Sequence, residues 1–168
     1  MTKRLILTRH AKSSWDEANV ADHERPLNAR GRSAAADLGQ WLASRGYIPD
    51  EVICSDARRT AETWEHLAPA LTGAAAPRYT AKLYQAGADV MLAVLKHASG
   101  DTVLMLGHNP GIAEFAQRLV ARAPLNPEFA RFPTAATLVV EFPVESWSDV
   151  AYGTGAPDDF IIPKEIEA

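Results

Sequence analysis

The chain has 168 residues and a formal net charge of −4, so it offers no global basic footprint for nucleic acid and any anion site must be local. Its 47% hydrophobic and 23% charged residues are ordinary for a globular protein, and the length suits one domain, 1–168, burying roughly 70% of the surface its unfolded form exposes. The apolar runs are too short to span a bilayer, no signal-peptide pattern opens the chain, and Cys54 has no partner for an intramolecular disulfide, so no membrane partner and a cytoplasmic location are expected.

Residues 3–8 (KRLILT) read as a short strand buried on both faces, followed directly by Arg9 and His10. "PLNARGRSAAADLGQWLASRG" reads as a helix. Asn28 is its N-cap candidate, Ala34, Ala35, Leu38, Trp41 and Leu42 form its apolar stripe, and Gly46 stands where a C-terminal glycine belongs. "EVICS" (51–55) is a second strand. It runs into a helix that Asp56 can cap, with Ala57, Ala61, Trp64, Leu67 and Ala68 as the apolar face.

A loop-like stretch follows Gly73, with a short strand near 78–83. "ADVMLAVLKHASG" gives a third helix and "DTVLMLGH" (101–108) a third apolar strand. "NPGIAEFAQRLVAR" follows as a helix, with Asn109 as cap and Pro110 at the first helical position. Residues 122–133 look like a loop. "TAATLVVEF" (134–142) is another strand, and one or two edge strands are expected in the tail. The alternation predicts an α/β fold, with a mostly parallel sheet between helical layers.

Ligands of open α/β sheets bind at the carboxyl ends of the strands. Three predicted strand ends carry related chemistry: Arg9-His10, Ser55 with Arg58 and Arg59 in the next turn, and Gly107-His108-Asn109. Each residue has an ordinary alternative. Arg9 can be a surface ion-pair partner, His10 and His108 loop or cap residues, and Arg58 or Arg59 a partner of Glu62 one turn on. Their joint placement favours a shared anion, and two histidines beside arginines suit a phosphoryl group better than a carboxylate. His66 and His97 fall inside helices, and Glu62 with His66 lacks the second histidine of an HExxH site. No metal constellation or cofactor motif is found.

Three nucleophile or phosphate motifs fail. The C-x5-R loop of cysteine phosphatases would need arginine at position 60, which is Thr60, so Cys54 reads as a buried structural thiol. Walker A and G-x-S-x-G patterns are absent. Histidine remains: neutral imidazole attacks phosphorus and holds the phosphoryl group covalently, while Arg9, Arg59 and His108 neutralise the equatorial oxygens without a metal.

These residues carry a resemblance. "LTRHAKSS" resembles the R-H-G motif of the histidine phosphatase superfamily, the phosphoglycerate-mutase-like branch 1. "CSDARRTAET" resembles its strand-end motif through Ser55, Arg59 and Thr63. "LMLGHNPGI" resembles the motif of the second catalytic histidine, here His108, and "DHERPLNARG" resembles the R-P-L-[TN]-x-x-G signature. The motifs span nearly the whole chain in family order. The short length and G-H-x-P form point to the compact phosphohistidine phosphatases of the SixA type. The resemblance implies a three-layer α/β/α sandwich with a mixed sheet, and no cofactor. Ala11 replaces the family's glycine, and Thr60 replaces a frequent alanine.

The acidic proton donor of the family's mutases and phosphomonoesterases has no counterpart around Tyr84 and Gln85. Asp16, Asp22 and Glu24 are the substitutes on offer. An ester needs that acid for its alkoxide leaving group, whereas imidazole leaves from a P–N bond with less help. The reading is therefore a metal-independent phosphohydrolase with His10 as nucleophile, Arg9, Arg59 and His108 on the phosphoryl oxygens, and Lys12, Ser13, Arg25, Arg58 and Asn109 at the rim. Phosphohistidine on a partner protein is the expected substrate. The alternatives are a small-molecule phosphomonoesterase acting on sugar or nucleotide phosphates, and a non-catalytic phosphate-binding module.

Overall fold

A computed structural model describes residues 2–16 and 19–167. Six strands, β1 (Lys3–Arg9), β2 (Glu51–Ser55), β3 (Pro77–Thr80), β4 (Thr102–Gly107), β5 (Thr137–Phe142) and β6 (Ala156–Ile161), form one sheet in the order β3-β2-β4-β1-β5-β6. β5 runs antiparallel to both β1 and β6, while the other pairings are parallel. The sheet is thus mostly parallel and mixed, as expected, with β5 the one reversed strand.

Helices α1 (Ala29–Ser44), α2 (Arg58–Leu67) and α5 (Pro163–Glu167) cover one face, and α3 (Ala88–Lys96) and α4 (Gly111–Leu119) cover the other. The period of two along β1 explains how so short a strand serves both layers. Leu5 and Leu7 enter the core with Met91, Phe115 and Trp147, while Ile6 enters the core with Leu38, Leu42 and Trp64. Burying one such aliphatic side chain contributes about 1.5–3 kcal/mol. Cys54 packs in the second core, where burial raises its thiol to about 12, so it is an inert apolar filler.

The helix starts divide. Asn28 caps α1 as expected, its side chain accepting from Gly31 N at 2.8 Å, and Gly46 follows the helix at φ +73°. Asp56 does not cap α2. The cap position is Ala57, the Ser55 hydroxyl accepts the Ala57 N–H, and Asp56 instead accepts from His23. Asn109 does not cap α4 either. That helix starts at Gly111 after a cis Asn109–Pro110 bond, and the Asn109 amide donates to the carbonyls of Arg131 and Phe132. The α2 face is also more polar than its apolar spacing suggests: Thr60 and Thr63 are fully buried, each hydroxyl donating to a backbone carbonyl.

Two glycines let α1 pack without a gap. A Cβ on Gly31 would lie 2.1 Å from the Lys12 carbonyl oxygen, and one on Gly39 would lie 2.6 Å from that of Leu67. The first turn of α1 therefore rests on the backbone that follows β1. Residues 122–133 form the expected irregular segment, and the tail supplies one edge strand, β6, and the short α5. Among the described residues no helix is long and apolar enough to cross a membrane.

Candidate active site

The strand order β2-β4-β1 sets three carboxyl ends side by side. Arg9 is level with Gly107 in the β1–β4 register, and His10 N donates to the Gly107 carbonyl at 3.2 Å. His10 and His108 therefore leave adjacent strands, with ring centroids 5.3 Å apart. Ser55 ends the strand on the other side of β4, and its hydroxyl lies 2.8 Å from His108 Nε2.

Hydrogen bonds assign the His10 tautomer. Its Nδ1 is 2.7 Å from the Ala11 carbonyl, an acceptor only, so Nδ1 carries the proton and Nε2 keeps the lone pair. Ala11 is itself fixed, its N–H donating to the Thr63 hydroxyl at 3.0 Å, and the His10 carbonyl accepts from Ala135 N at 2.9 Å. Ala11 is not among the positive-φ residues, so alanine replaces the family's glycine without strain. Burial, and then the charges of His108, Arg9 and Arg59, hold the His10 ring well below the ordinary histidine range, against the raising effect of the Ala11 bond. The ring is neutral at pH 7.

His108 is prepared differently. Ser55 Oγ accepts the Ala57 N–H at 3.3 Å, so its own proton is available to His108 Nε2. That pairing places the ring proton on Nδ1, which is buried without a partner. Burial first, then Arg59, lowers His108 to about 4, so it too is neutral at pH 7 and offers an N–H rather than a positive charge.

Two arginines flank the rings. Arg9 donates to the Phe132 carbonyl at 3.2 Å, and burial with the charge of Arg59 lowers its pKa. Phe132 and Ala135 hold positive φ, 49° and 60°, in the segment that receives Arg9 and His10, a local strain of the kind found beside binding sites. Arg59 is anchored by Asp22 twice, at the carbonyl (2.8 Å) and the carboxylate (3.1 Å). The same carboxylate accepts from Arg25 Nε at 3.1 Å and from the Tyr84 hydroxyl at 2.5 Å. The Tyr84 hydrogen bond leads the effects that hold Asp22 at about 2, ahead of the arginines.

A pocket of about 370 Å³ joins Arg9, His10, Lys12, Ser13, Arg25, Arg59, His108 and Asn109, together with Trp15 and Thr134. Of the sequence-predicted site residues, Arg58 alone is not brought in: it is exposed and pairs with Glu62 at 3.2 Å. Among the described residues, four of the five buried side-chain polar atoms without a partner belong to this pocket. Arg9 Nε, Arg59 Nε and His108 Nδ1 are donors, and Asn109 Oδ1 is an acceptor. Unpaired buried donors are costly, so their grouping suits an anion. Among the described residues no three His, Cys, Asp or Glu side chains group as metal ligands.

Sequence reasoning missed four contributors. The Ser55 motif carries no sign of its bond to His108, and Asp22, one of three acids on offer as a substitute proton donor, anchors Arg25 and Arg59. Trp15, 77% exposed, stacks on the Arg25 guanidinium at 3.6 Å from the ring centroid. Thr134 reaches the pocket from the loop before β5. The "SSW" after His10 gave no periodic signal, and only long-range contacts reveal the others.

Comparison with known proteins adds three findings. The sequence profile described as histidine phosphatase superfamily (branch 1) matches residues 5–84. An uncharacterized chloroplastic protein of Arabidopsis thaliana is 35% identical over 71% of this chain, which spans 60% of that relative's length. An uncharacterized protein of Mycobacterium tuberculosis is 32% identical over 93% of this chain and 99% of its own. The solved structure of a Nakamurella multipartitia protein assigned as the phosphohistidine phosphatase SixA is similar at 31% identity and TM-score 0.80, covering 97% of both chains.

Proposed function

Because this chain belongs to the histidine phosphatase superfamily (branch 1), we propose that residues 1–168 form one metal-independent phosphohydrolase domain that works through a phosphohistidine intermediate on His10. The observation that carries this reading is the His10 tautomer. Its Nδ1 proton is committed to the Ala11 carbonyl, and its neutral ring keeps a lone pair on Nε2 in a pocket shared with two arginines.

In the first step Nε2 of His10 attacks phosphorus. The bond from phosphorus to the leaving group breaks, and a substrate imidazole already protonated on its other ring nitrogen departs with the electron pair as a neutral ring. Arg9, Arg59 and the His108 Nδ1–H bind the phosphoryl oxygens, where charge builds. In the second step water adds to phosphorus as the bond to His10 breaks, which restores the Nε2 lone pair and releases phosphate. Lys12, Ser13, Arg25 and Asn109 line the rim.

The substrate we favour is phosphohistidine on a partner protein. Asp22 is already ionised at neutral pH and tied to Arg25, Arg59 and Tyr84, so it has no proton for an alkoxide. Glu24 is exposed and lies beside His23. An activated P–N bond fits a pocket with these acids, and the protein assigned as SixA supports the same class. A small-molecule phosphomonoesterase would need an acid that Asp22 does not supply. A cytoplasmic location agrees with the single buried, unpaired cysteine.

Labelling with [32P]phosphoryl donor tests the nucleophile. Wild type should form an acid-labile phosphoenzyme, and His10→Ala should form none and lose about 10³-fold or more in kcat. Unchanged turnover in that variant rules the mechanism out, and faster hydrolysis of sugar phosphates than of phosphohistidine protein rules the substrate class out.

A further inference from the structure

A second cavity, about 540 Å³, adjoins the pocket just described and shares Lys12 and Thr134 with it. Three elements bring a cation to it. Lys12 lies two residues beyond His10. Arg30 sits in the first turn of α1, which rests on the Lys12 backbone: Asn28 N donates to the Lys12 carbonyl at 3.0 Å, and Gly31 leaves room for that approach. Lys164 is on α5, whose Ile166 packs into the core beneath α1.

None of these three cations has an ion-pair partner among the described residues, although Arg4, Arg25, Arg45, Arg59 and Arg118 are all paired. Among the described residues Glu128 is the one carboxylate lining the cavity, and Arg131 holds it at 3.0 Å. The remaining lining includes Ala34, Pro133 and Ile162. A chain of net charge −4 thus presents, among the described residues, a basic groove without paired cations and with an apolar wall, and Lys12 and Thr134 line both it and the His10 pocket.

We infer that this groove binds an acidic segment of the partner protein that flanks the phosphorylated histidine, an inference that rests on the phosphohistidine reading above. With the phosphoryl group between Arg9 and Arg59, the chain on one side of the modified residue passes Lys12 and enters the groove. Its carboxylates meet Arg30 and Lys164, and its aliphatic side chains meet Pro133 and Ile162. Charge complementarity at such a rim sets partner choice and association rate rather than the chemical step.

The test compares wild type with Arg30→Glu/Lys164→Glu, two exposed positions. The substrates are phosphoimidazole and two phosphohistidine peptides that differ only in flanking Asp/Glu or Asn/Gln. Wild type should prefer the acidic peptide by about tenfold in kcat/KM, with the preference shrinking in added salt. The double variant should lose that preference through KM and hydrolyse phosphoimidazole at the wild-type rate. An unchanged KM for the acidic peptide, or an equal loss on phosphoimidazole, overturns the proposal. Wild type inert toward all three substrates would refute the phosphohistidine reading instead. The groove is then judged by titrating an unphosphorylated fluorescein-labelled acidic peptide, which should bind wild type about tenfold more tightly than the double variant. Equal binding of the neutral peptide, or binding of tripolyphosphate in place of the acidic peptide, overturns the groove assignment.

Discussion

Ser55 has no exposed surface, and its hydroxyl lies 2.8 Å from His108 Nε2. It does not reach the pocket lining, so its effect on substrate passes through the ring it orients. Ser55→Ala removes the donor that selects the His108 tautomer. We expect kcat to fall about tenfold with a smaller change in KM, and stability to fall by about 1 kcal/mol, read by steady-state kinetics and urea unfolding. Asp22 gives a complementary prediction. Its carboxylate has lost its proton far below neutrality, so Asp22→Asn should leave the pH–kcat profile between pH 5 and 8 unchanged in shape. Its substitution should instead raise KM severalfold, because Arg59 and Arg25 lose a shared anchor. A lost acid-dependent limb in that variant would show that Asp22 donates a proton after all.

At the scale of elements, the site depends on how closely α1 approaches the segment after β1. Gly31→Ala would place a methyl 2.1 Å from a backbone oxygen, and backbone cannot yield as a flexible side chain does. We expect a loss of about 1–3 kcal/mol in unfolding free energy, with a lower Tm by calorimetry and a raised KM as Lys12 and Ser13 are displaced. An alanine variant as stable as wild type would mean that the helix start shifts freely. The two caps that failed carry a lesson about such junctions. Asp56 and Asn109 have the residue types of N-caps, but each is taken by a long-range partner, His23 for the first and the 131–132 carbonyls for the second. Local preference of about 1 kcal/mol yields to tertiary hydrogen bonds that also shape the site.

For the whole molecule, two buried neutral histidines link folding to pH. In the unfolded chain both titrate near 6.5, whereas in the fold His10 lies well below that value and His108 lies at about 4. Below pH 6.5 the unfolded state therefore binds more protons, and stability falls as pH falls toward 4, by roughly 3 kcal/mol for His108 alone. Asp22 adds a later loss, because its stabilising ionised form disappears only as pH falls from the ordinary aspartate range toward 2. Urea midpoints measured between pH 7 and pH 4.5 should decline steadily, and His108→Gln should flatten part of that slope. A midpoint constant over this range would contradict neutral burial of the histidines.

Much of this architecture was legible in one dimension. Apolar runs of five or six residues, helical stripes and Asn28 marked the alternation of strands and helices, because burial and local capping are read from spacing. The strand ends at Arg9-His10, Ser55 and His108 marked the chemistry, because parallel neighbours in an α/β sheet present their carboxyl ends on one edge. The sequence by itself thus determined that Arg9, His10, Arg59 and His108 share one edge of the sheet. Only the tertiary structure decided the reversal of β5, the tautomers of His10 and His108, and the conversion of Asp22 from a candidate acid into an anchor. It also decided the separation of Arg58 from the site and the basic groove that Arg30 and Lys164 form beside it. The His108 and Asp22 outcomes depend on hydrogen bonds and ion pairs between residues tens of positions apart, and the His10 and Arg58 outcomes on which of several local partners the packed fold selects, a choice that spacing alone does not encode.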